Sequence, residues 1–318
     1  MAGGVNCVLD ADLEAALVAA LQDEGIDAAA LTEASPNPAR GSRPSWRLAF
    51  QRASGDLLLT FAKSDVGTWR SEDPYRRGVA YERDVYRRVL VRHPGVSPGF
   101  ACAMEFEGES WLLVEYIEGL LRLEKTDGRI ELSLAAEKIG QLHRSTMGIR
   151  DPHLQHYGRD MIEEWFSRAE ANLVDAGVED ASRVLSTALQ AWVVDVLGGQ
   201  AQSLVHGDLY PANVMCRPGS VWLVDWEAAG IGAGALDLAA LVEGWPARHG
   251  MRAMAAYRAA TGHSAADVRE SLTAASVWLC ARFLGHRIDV VATPHGRWRL
   301  GMLRSVEDGR RAAARSGG

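Results

Sequence analysis

Two short segments carry the residue types that chemistry requires. The first reads His206-Gly-Asp-Leu-Tyr-Pro-Ala-Asn213 and the second Val221-Trp-Leu-Val-Asp-Trp-Glu227. An apolar stretch ends in Asp208 and Asn213 follows five residues on; a second apolar stretch ends in Asp225, twelve residues beyond Asn213. Phosphoryl transfer from a nucleotide asks for a carboxylate that orients and deprotonates the attacking hydroxyl, and for hard oxygen ligands that hold Mg²⁺ on the triphosphate. Asp208, Asn213 and Asp225 make up such a set. Two protein ligands suffice for the metal, because phosphates and waters complete its octahedron.

On these motifs the chain resembles the aminoglycoside phosphotransferase and choline kinase-like family, small-molecule relatives of the protein kinases, over Trp46 to Glu243. The resemblance implies an α+β, bilobal protein-kinase-like fold with a β-rich N-lobe and a helical C-lobe. It casts Asp208 as the catalytic base, Asn213 as a metal ligand and Asp225 as the principal metal ligand. His206 would shape the catalytic loop without doing chemistry. Asp237, in Gly-Ala-Leu-Asp-Leu-Ala, matches a family aspartate that braces this loop, although an Asp opening a helix ordinarily reads as an N-cap.

Upstream, Lys63 ends the strand Leu57-Leu-Leu-Thr-Phe-Ala-Lys63 on the same face as Phe61, Leu59 and Leu57, because strand side chains alternate with period two. An apolar face ending in an ammonium suits a nucleotide roof. By resemblance Lys63 would hold the α and β phosphates of ATP or GTP and pair with a helix glutamate, assigned to Glu82, with Glu72 and Asp84 as competitors. Leu112-Leu-Val-Glu-Tyr-Ile-Glu-Gly119 looks like the interlobe hinge, in which the Glu115 carbonyl and the Ile117 amide would bind the adenine edge. Three features depart from the pattern. The phosphate-covering stretch between Glu33 and Trp46 has only Gly41 and no GxGxxG, so phosphate contacts there come from Ser42, Arg43 or Ser45, or are absent. Tyr210 stands two beyond Asp208, where many protein kinases carry Lys, and either faces the acceptor or packs on the loop. Trp226 and Glu227 replace the Phe-Gly that follows the kinase metal aspartate, which implies a loop that does not switch.

Around these motifs, apolar spacing predicts a helix over Asp12 to Leu21 with Asp10 or Asp12 as N-cap, and a loop over Glu33 to Ser45. Hairpins are expected over Trp46 to Arg52 with Asp56 to Lys63, and over Phe100 to Phe106 with Trp111 to Tyr116, with a helix at Gly78 to Arg92 between them. From Leu132 helical periodicity dominates, in Leu132 to Arg144, Asp160 to Leu173, Ala181 to Leu197, Gly234 to Glu243, Met251 to Ala260 and Ala265 to Arg287. Short strands at Leu204 to His206 and Val221 to Val224 interrupt it, and Arg310 to Gly318 reads as a fraying tail. The expected division is an N-lobe of residues 1–117 that binds nucleotide and a C-lobe of residues 118–318 that carries catalysis and the acceptor, with the cleft between them.

The 318 residues carry 34 Lys and Arg against 41 Asp and Glu, a net charge of −7. No concentrated basic surface is available for a nucleic acid or an anionic membrane, and no apolar run approaches the length of a bilayer span. Cys7, Cys102, Cys216 and Cys280 form no metal-spaced pair, which fits reduced thiols and a cytoplasmic location. The expected partner is a small-molecule hydroxyl acceptor, met by a monomer or homodimer. The segment from Arg150 to Gln200 holds nine acids and four bases, and Asp160, Glu163 and Glu164, beside Trp165, are its candidates to receive an amine; Tyr210 and Glu227 complete the acceptor-side set. The preferred acceptor is an antibiotic or a similar amine-bearing sugar or nucleoside, which makes the protein a resistance enzyme. The rivals are a metabolic kinase acting on choline, homoserine, a methylthio sugar or a ketosamine, and a nucleotide-binding regulator without turnover.

Overall fold

A computed structural model describes residues 9–37, 44–65 and 75–316. The chain divides into two compact units, Met1–Leu120 and Leu121–Gly318.

In the first unit, helix α1 (Ala11–Asp23) is capped by Asp10, which accepts from the Leu13 amide at 2.8 Å. Leu13, Leu17 and Leu21, spaced by four, fall on one face of this helix. That face packs on Trp46, Leu48, Phe50, Ala62, Trp111 and Leu113 of an antiparallel sheet, with the Trp46 and Trp111 rings stacked at 5.0 Å. Each leucine so buried contributes about 1.5–3 kcal/mol. The sheet is built from β1 (Ala30–Pro36), β2 (Ser45–Gln51), β3 (Leu57–Ser64), β4 (Phe100–Phe106) and β5 (Glu109–Glu115), in the order β1-β2-β3-β5-β4. Helix α2 (Val79–Arg88) lies between β3 and β4 in sequence and is followed by a single 3₁₀ turn at Leu90–Arg92, so the helix is shorter than its apolar pattern implied. Glu107 and Gly108, both at positive φ, make the tight β4–β5 turn.

Residues 33–36, expected as loop, belong to β1. This edge strand is mostly exposed and pairs with β2 through a bulge between Leu31 and Glu33, and a strand with little burial shows no alternation of apolar residues.

The second unit contains β6 (Leu121–Arg122), α3 (Glu131–Ser145), β7 (Gln155–His156), α4 (Arg159–Asp175), α5 (Ala181–Val184), α6 (Thr187–Gly198), β8 (Gln202–Val205), β9 (Val214–Arg217), β10 (Ser220–Leu223), β11 (Gly230–Ala233), α7 (Ala235–Val242), α8 (Ala247–Thr261), α9 (Ala265–His286) and α10 (Pro294–Ser316). Two small sheets, β10-β9-β6 and β7-β11-β8, are set among these helices. The continuous helix expected over Ala181 to Leu197 is broken: Ser186 is extended and caps α6 by accepting from the Leu189 amide at 3.1 Å. The segment from Arg310, expected to fray, continues α10 to Ser316. Arg310 lies over the Trp192 ring at 4.3 Å and Arg311 pairs with the buried Glu307 at 2.7 Å, which anchors the last turns. Cys102, Cys216 and Cys280 are buried free thiols. Among the described residues no helix is long and apolar enough to cross a membrane.

Candidate active site

The spacing of the motif residues follows from a hairpin. β9 and β10 pair antiparallel with Val214 opposite Leu223, so the next positions outward are Asn213 and Val224. The Val224 amide donates to the Asn213 carbonyl at 2.9 Å, and Asp225 is the next residue. Twelve residues of chain therefore place Asn213 and Asp225 at one end of one hairpin. On the other side, the five residues from Asp208 to Asn213 fold back through two turns, in which Tyr210 N donates to Asp208 O and Asn213 N to Tyr210 O, each at 2.8 Å. Asn213 Nδ2 then donates to the Asp208 carbonyl at 2.8 Å and approaches its Oδ2 at 3.3 Å. With Nδ2 so committed, the amide oxygen of Asn213 points away from Asp208 and offers the hard donor that Mg²⁺ takes.

The loop before Asp208 is held by side chains from several elements. Asp237, 1% exposed, sits in the first turn of α7 but does not cap it; its Oδ2 accepts from His206 N at 2.7 Å and its Oδ1 from Gly207 N at 2.9 Å. Hydrogen bonds to a charged group contribute about 1.5–3 kcal/mol each. The same carboxylate meets His143 Nε2 of α3 at 3.1 Å, and His143 Nδ1 meets the Tyr257 hydroxyl of α8 at 3.0 Å. Burial, with the Asp237 charge, pushes the Tyr257 phenol well above its ordinary value, and its hydroxyl ends the buried chain from Asp237 through His143. His206 Nδ1 accepts from Asp208 N at 3.4 Å and Nε2 lies 2.9 Å from the Val224 carbonyl, which places the proton on Nε2. Its ring packs on the fully buried Trp226 at 4.5 Å.

Gly207 has φ +78°, and a Cβ there would run into the Tyr157 hydroxyl and the Ala228 carbonyl. Only glycine fits. Tyr157 itself donates to the Ala228 carbonyl at 2.5 Å, which ties the segment after Asp225 to the strand leading into α4. Asp225 takes the left-handed conformation, φ 73° and ψ 64°, and Trp226 Nε1 donates back to Leu223 O at 3.1 Å. Glu227 is buried in the same turn. Tyr210 is half-buried, its phenol pushed up to about 12 chiefly by desolvation, with Arg299 and Arg282 acting to lower it and Glu243 and Asp208 to raise it. The amide oxygen of Asn213 and the carboxylate of Asp225 are hard oxygen donors of the kind Mg²⁺ takes, with phosphate oxygens and waters to complete its shell.

In the first unit, Lys63 Nζ contacts both oxygens of Glu82 at 3.0 Å, with Glu82 only 2% exposed. Asp65, two residues past Lys63, accepts from the Val79 amide at 3.0 Å and so fastens the start of α2, the helix that carries Glu82. Of the competitors, Asp84 pairs with Arg83 at 3.0 Å and Glu72 lies outside the described residues. Lys63 does share a face with Leu57, Leu59 and Phe61, and this is the less buried face of β3; Thr60, Ala62 and Ser64 form the buried one. The strand holding Glu115 ends there, while the Tyr116 amide still bonds Leu59 O at 3.2 Å and Ile117 lies beyond the ladder. Ser42 and Arg43 lie outside the described residues, and Ser45 opens β2 opposite Lys63.

The acids on α4 are not gathered into a cluster. Glu163 pairs with Arg159 at 3.2 Å and Glu164 with Arg168 at 3.1 Å, whereas Asp160 has no such partner among the described residues. Trp165, beside them, is fully buried. Sequence reasoning missed His143, Tyr157, Tyr257 and Arg282. The signal for Arg282 was a lone cation in the apolar run Ala274 to Leu284; His143 offered only a histidine on the buried face of a helix.

A family model described as the phosphotransferase enzyme family matches residues 39–273. No curated protein matches in sequence. Among solved structures, the fold is similar to a GDP complex of aminoglycoside 2'-phosphotransferase-IIIa, at 14% identity and TM-score 0.59, covering 95% of this chain and 100% of that one. It is similar to a choline kinase from Cryptosporidium parvum at 13% identity and TM-score 0.58, covering 89% and 90%. A macrolide 2'-phosphotransferase from Brachybacterium faecium aligns at 16% identity and TM-score 0.53, covering 91% and 97%.

Proposed function

Because the chain belongs to the phosphotransferase enzyme family, we propose that it transfers the γ-phosphate of ATP or GTP, with Mg²⁺, to a hydroxyl of a small molecule. Asp208 orients the acceptor hydroxyl and takes its proton as the new oxygen–phosphorus bond forms and the bond to the β-phosphate oxygen breaks, releasing the nucleoside diphosphate. The amide oxygen of Asn213 and the carboxylate of Asp225 would hold Mg²⁺, which would supply positive charge against the phosphates. Lys63, kept in place by Glu82, binds the α and β phosphates, and the Glu115 and Ile117 backbone receives the base.

The observation that carries this reading is the bonding of Asn213 to both neighbours: its side chain to Asp208 and its carbonyl to the residue before Asp225. That arrangement supports a reading in which a base and a metal ligand are held at fixed separation. The acceptor we favour is an antibiotic or similar amine-bearing sugar or nucleoside; solved structures of similar fold include aminoglycoside and macrolide phosphotransferases alongside a choline kinase. Asp160, which unlike Glu163 and Glu164 has no ion pair among the described residues, is our candidate to meet its amine.

The test is transfer from radiolabelled ATP or GTP with Mg²⁺ to a panel of aminoglycosides, macrolides, nucleoside antibiotics and choline. Asp208→Asn is expected to lower kcat by about 10²–10⁴-fold, the usual worth of a general base, while nucleotide affinity stays near the parent's. Equal turnover in the two proteins would remove Asp208 from the mechanism.

A further inference from the structure

Arg282 stands in the middle of α9 with Val277, Trp278, Leu279, Cys280, Ala281 and Leu284 all buried around it, and is itself 8% exposed. A guanidinium taken out of water costs several kcal/mol unless its charge and its donors are used. Here they are used on the catalytic loop. Nη1 donates to the Gly207 carbonyl at 2.7 Å, and Nη2 lies 3.8 Å from Oδ1 of Asp208. The guanidinium carbon rests 5.6 Å from the centre of the Trp278 ring, and that ring meets Tyr157 edge-on at 5.7 Å.

Gly207 is thereby held at every handle it has. Asp237 takes its amide, Arg282 takes its carbonyl, and Tyr157 closes the space where a side chain would be. Asp208 hangs from the peptide that Arg282 grips. One carboxylate oxygen approaches the amide of Asn213 and the other faces the guanidinium.

We propose that Arg282 is a positioning residue for the general base: one arm of its fork fixes the Gly207–Asp208 peptide while the other sets the rotation of the Asp208 carboxylate. The proposal rests on Asp208 being the base. Arginine suits the task because its planar fork directs N–H groups from separate nitrogens along fixed vectors, whereas a lysine presents one rotating point charge. Misplacing a reacting group by about 1 Å costs about 100-fold in rate, so the loss belongs in kcat and not in nucleotide binding.

The experiment follows γ-phosphate transfer from Mg-ATP and Mg-GTP to water, which needs no identified acceptor, and to any acceptor found in the panel. Parent, Arg282→Gln, Arg282→Lys, Arg282→Ala and Asp208→Asn are compared. Arg282→Gln is expected to lose about 100-fold in kcat with nucleotide KM within about twofold of the parent, and Arg282→Lys to recover part of the loss. Methylguanidinium at millimolar concentration should restore turnover to Arg282→Ala and not to Asp208→Asn, with urea at the same concentration restoring neither. Unchanged kcat in Arg282→Gln with Asp208→Asn inactive would overturn the inference alone. So would losses in Arg282→Gln and Arg282→Ala that track the unfolded fraction and resist methylguanidinium, since packing alone would then explain them. Parent-like turnover in Asp208→Asn would overturn the assignment of the base and the inference with it.

Discussion

Asp225 adopts a backbone conformation that L-residues avoid, and of the described residues other than glycine it shares a positive φ only with Glu107. Such strain costs about 1–3 kcal/mol and persists where the surroundings overdetermine it. Here the surroundings are the Trp226 indole bonded back to Leu223 and the His206 imidazole on the Val224 carbonyl. Asp225→Gly should relieve the strain and remove the proposed metal ligand together. Its melting temperature is expected at or above the parent's, while the increase in melting temperature that Mg-nucleotide gives the parent disappears. A variant that keeps that Mg²⁺-dependent increase would show that Asp225 does not hold the metal. The sequence singled out Asp225 by residue type and by its place after an apolar run, and the β9–β10 hairpin, whose strands have four residues each, explains its spacing from Asn213. His143, Tyr257 and Arg282 were not singled out: their meaning lies in partners 94, 114 and 75 residues away, and nothing local separates a histidine or arginine that holds a loop from one that fills a core.

At the scale of elements, β3 and α2 bring Lys63 and Glu82 together over nineteen residues of chain. Both were readable, the strand from its apolar run and the helix from its periodicity. β9 was not, since Val214-Met-Cys-Arg217 has four residues and its pairing partners supply the pattern. The break between α5 and α6 was hidden for a related reason: apolar residues continue at helical spacing through Ser186, and only the cap shows that the chain turns. The Lys63–Glu82 pair has an energetic consequence beyond nucleotide binding. Removing one member of a buried pair leaves the other uncompensated, which costs about 3–5 kcal/mol, and with the Lys63 side chain 17% exposed the lower end applies. Lys63→Ala is therefore expected to lower the melting temperature as well as weaken nucleotide binding. Lys63→Ala with Glu82→Ala should regain most of the stability and none of the affinity. If the double variant bound nucleotide like the parent, Lys63 would be structural.

The charge of the whole molecule bears on which acceptors it draws. Lys and Arg number 12 against 18 Asp and Glu in residues 1–120, and 22 against 23 in residues 121–318, so the unit holding Asp208 is nearly neutral while the other carries most of the −7. The acid-rich stretch from Arg150 to Gln200 suggests a cation-attracting wall when only its composition is counted. In the folded protein Glu163 and Glu164 are matched by arginines four residues away on α4, and Asp180 by Arg183 and Arg304. Paired charges project little field, and at physiological ionic strength what remains decays over about 8 Å. Of the three acids at the start of α4, only Asp160 is without an ion pair among the described residues. It lies three residues beyond Tyr157, whose hydroxyl reaches the segment after Asp225, and it is exposed in the first turn of α4. Recognition of an amine at this acid would be a contact effect with weak long-range steering. KM for a cationic acceptor is therefore expected to rise by no more than about threefold as salt goes from about 0.05 to 0.5 M. Asp160→Asn should raise that KM and flatten its salt dependence, leaving nucleotide KM alone, and Glu163→Gln and Glu164→Gln should change neither. A rise of about tenfold or more with salt, abolished by Glu163→Gln, would mean that the α4 carboxylates act as a long-range field. A KM unmoved by salt and by Asp160→Asn would assign the acceptor to neutral sugars or nucleosides.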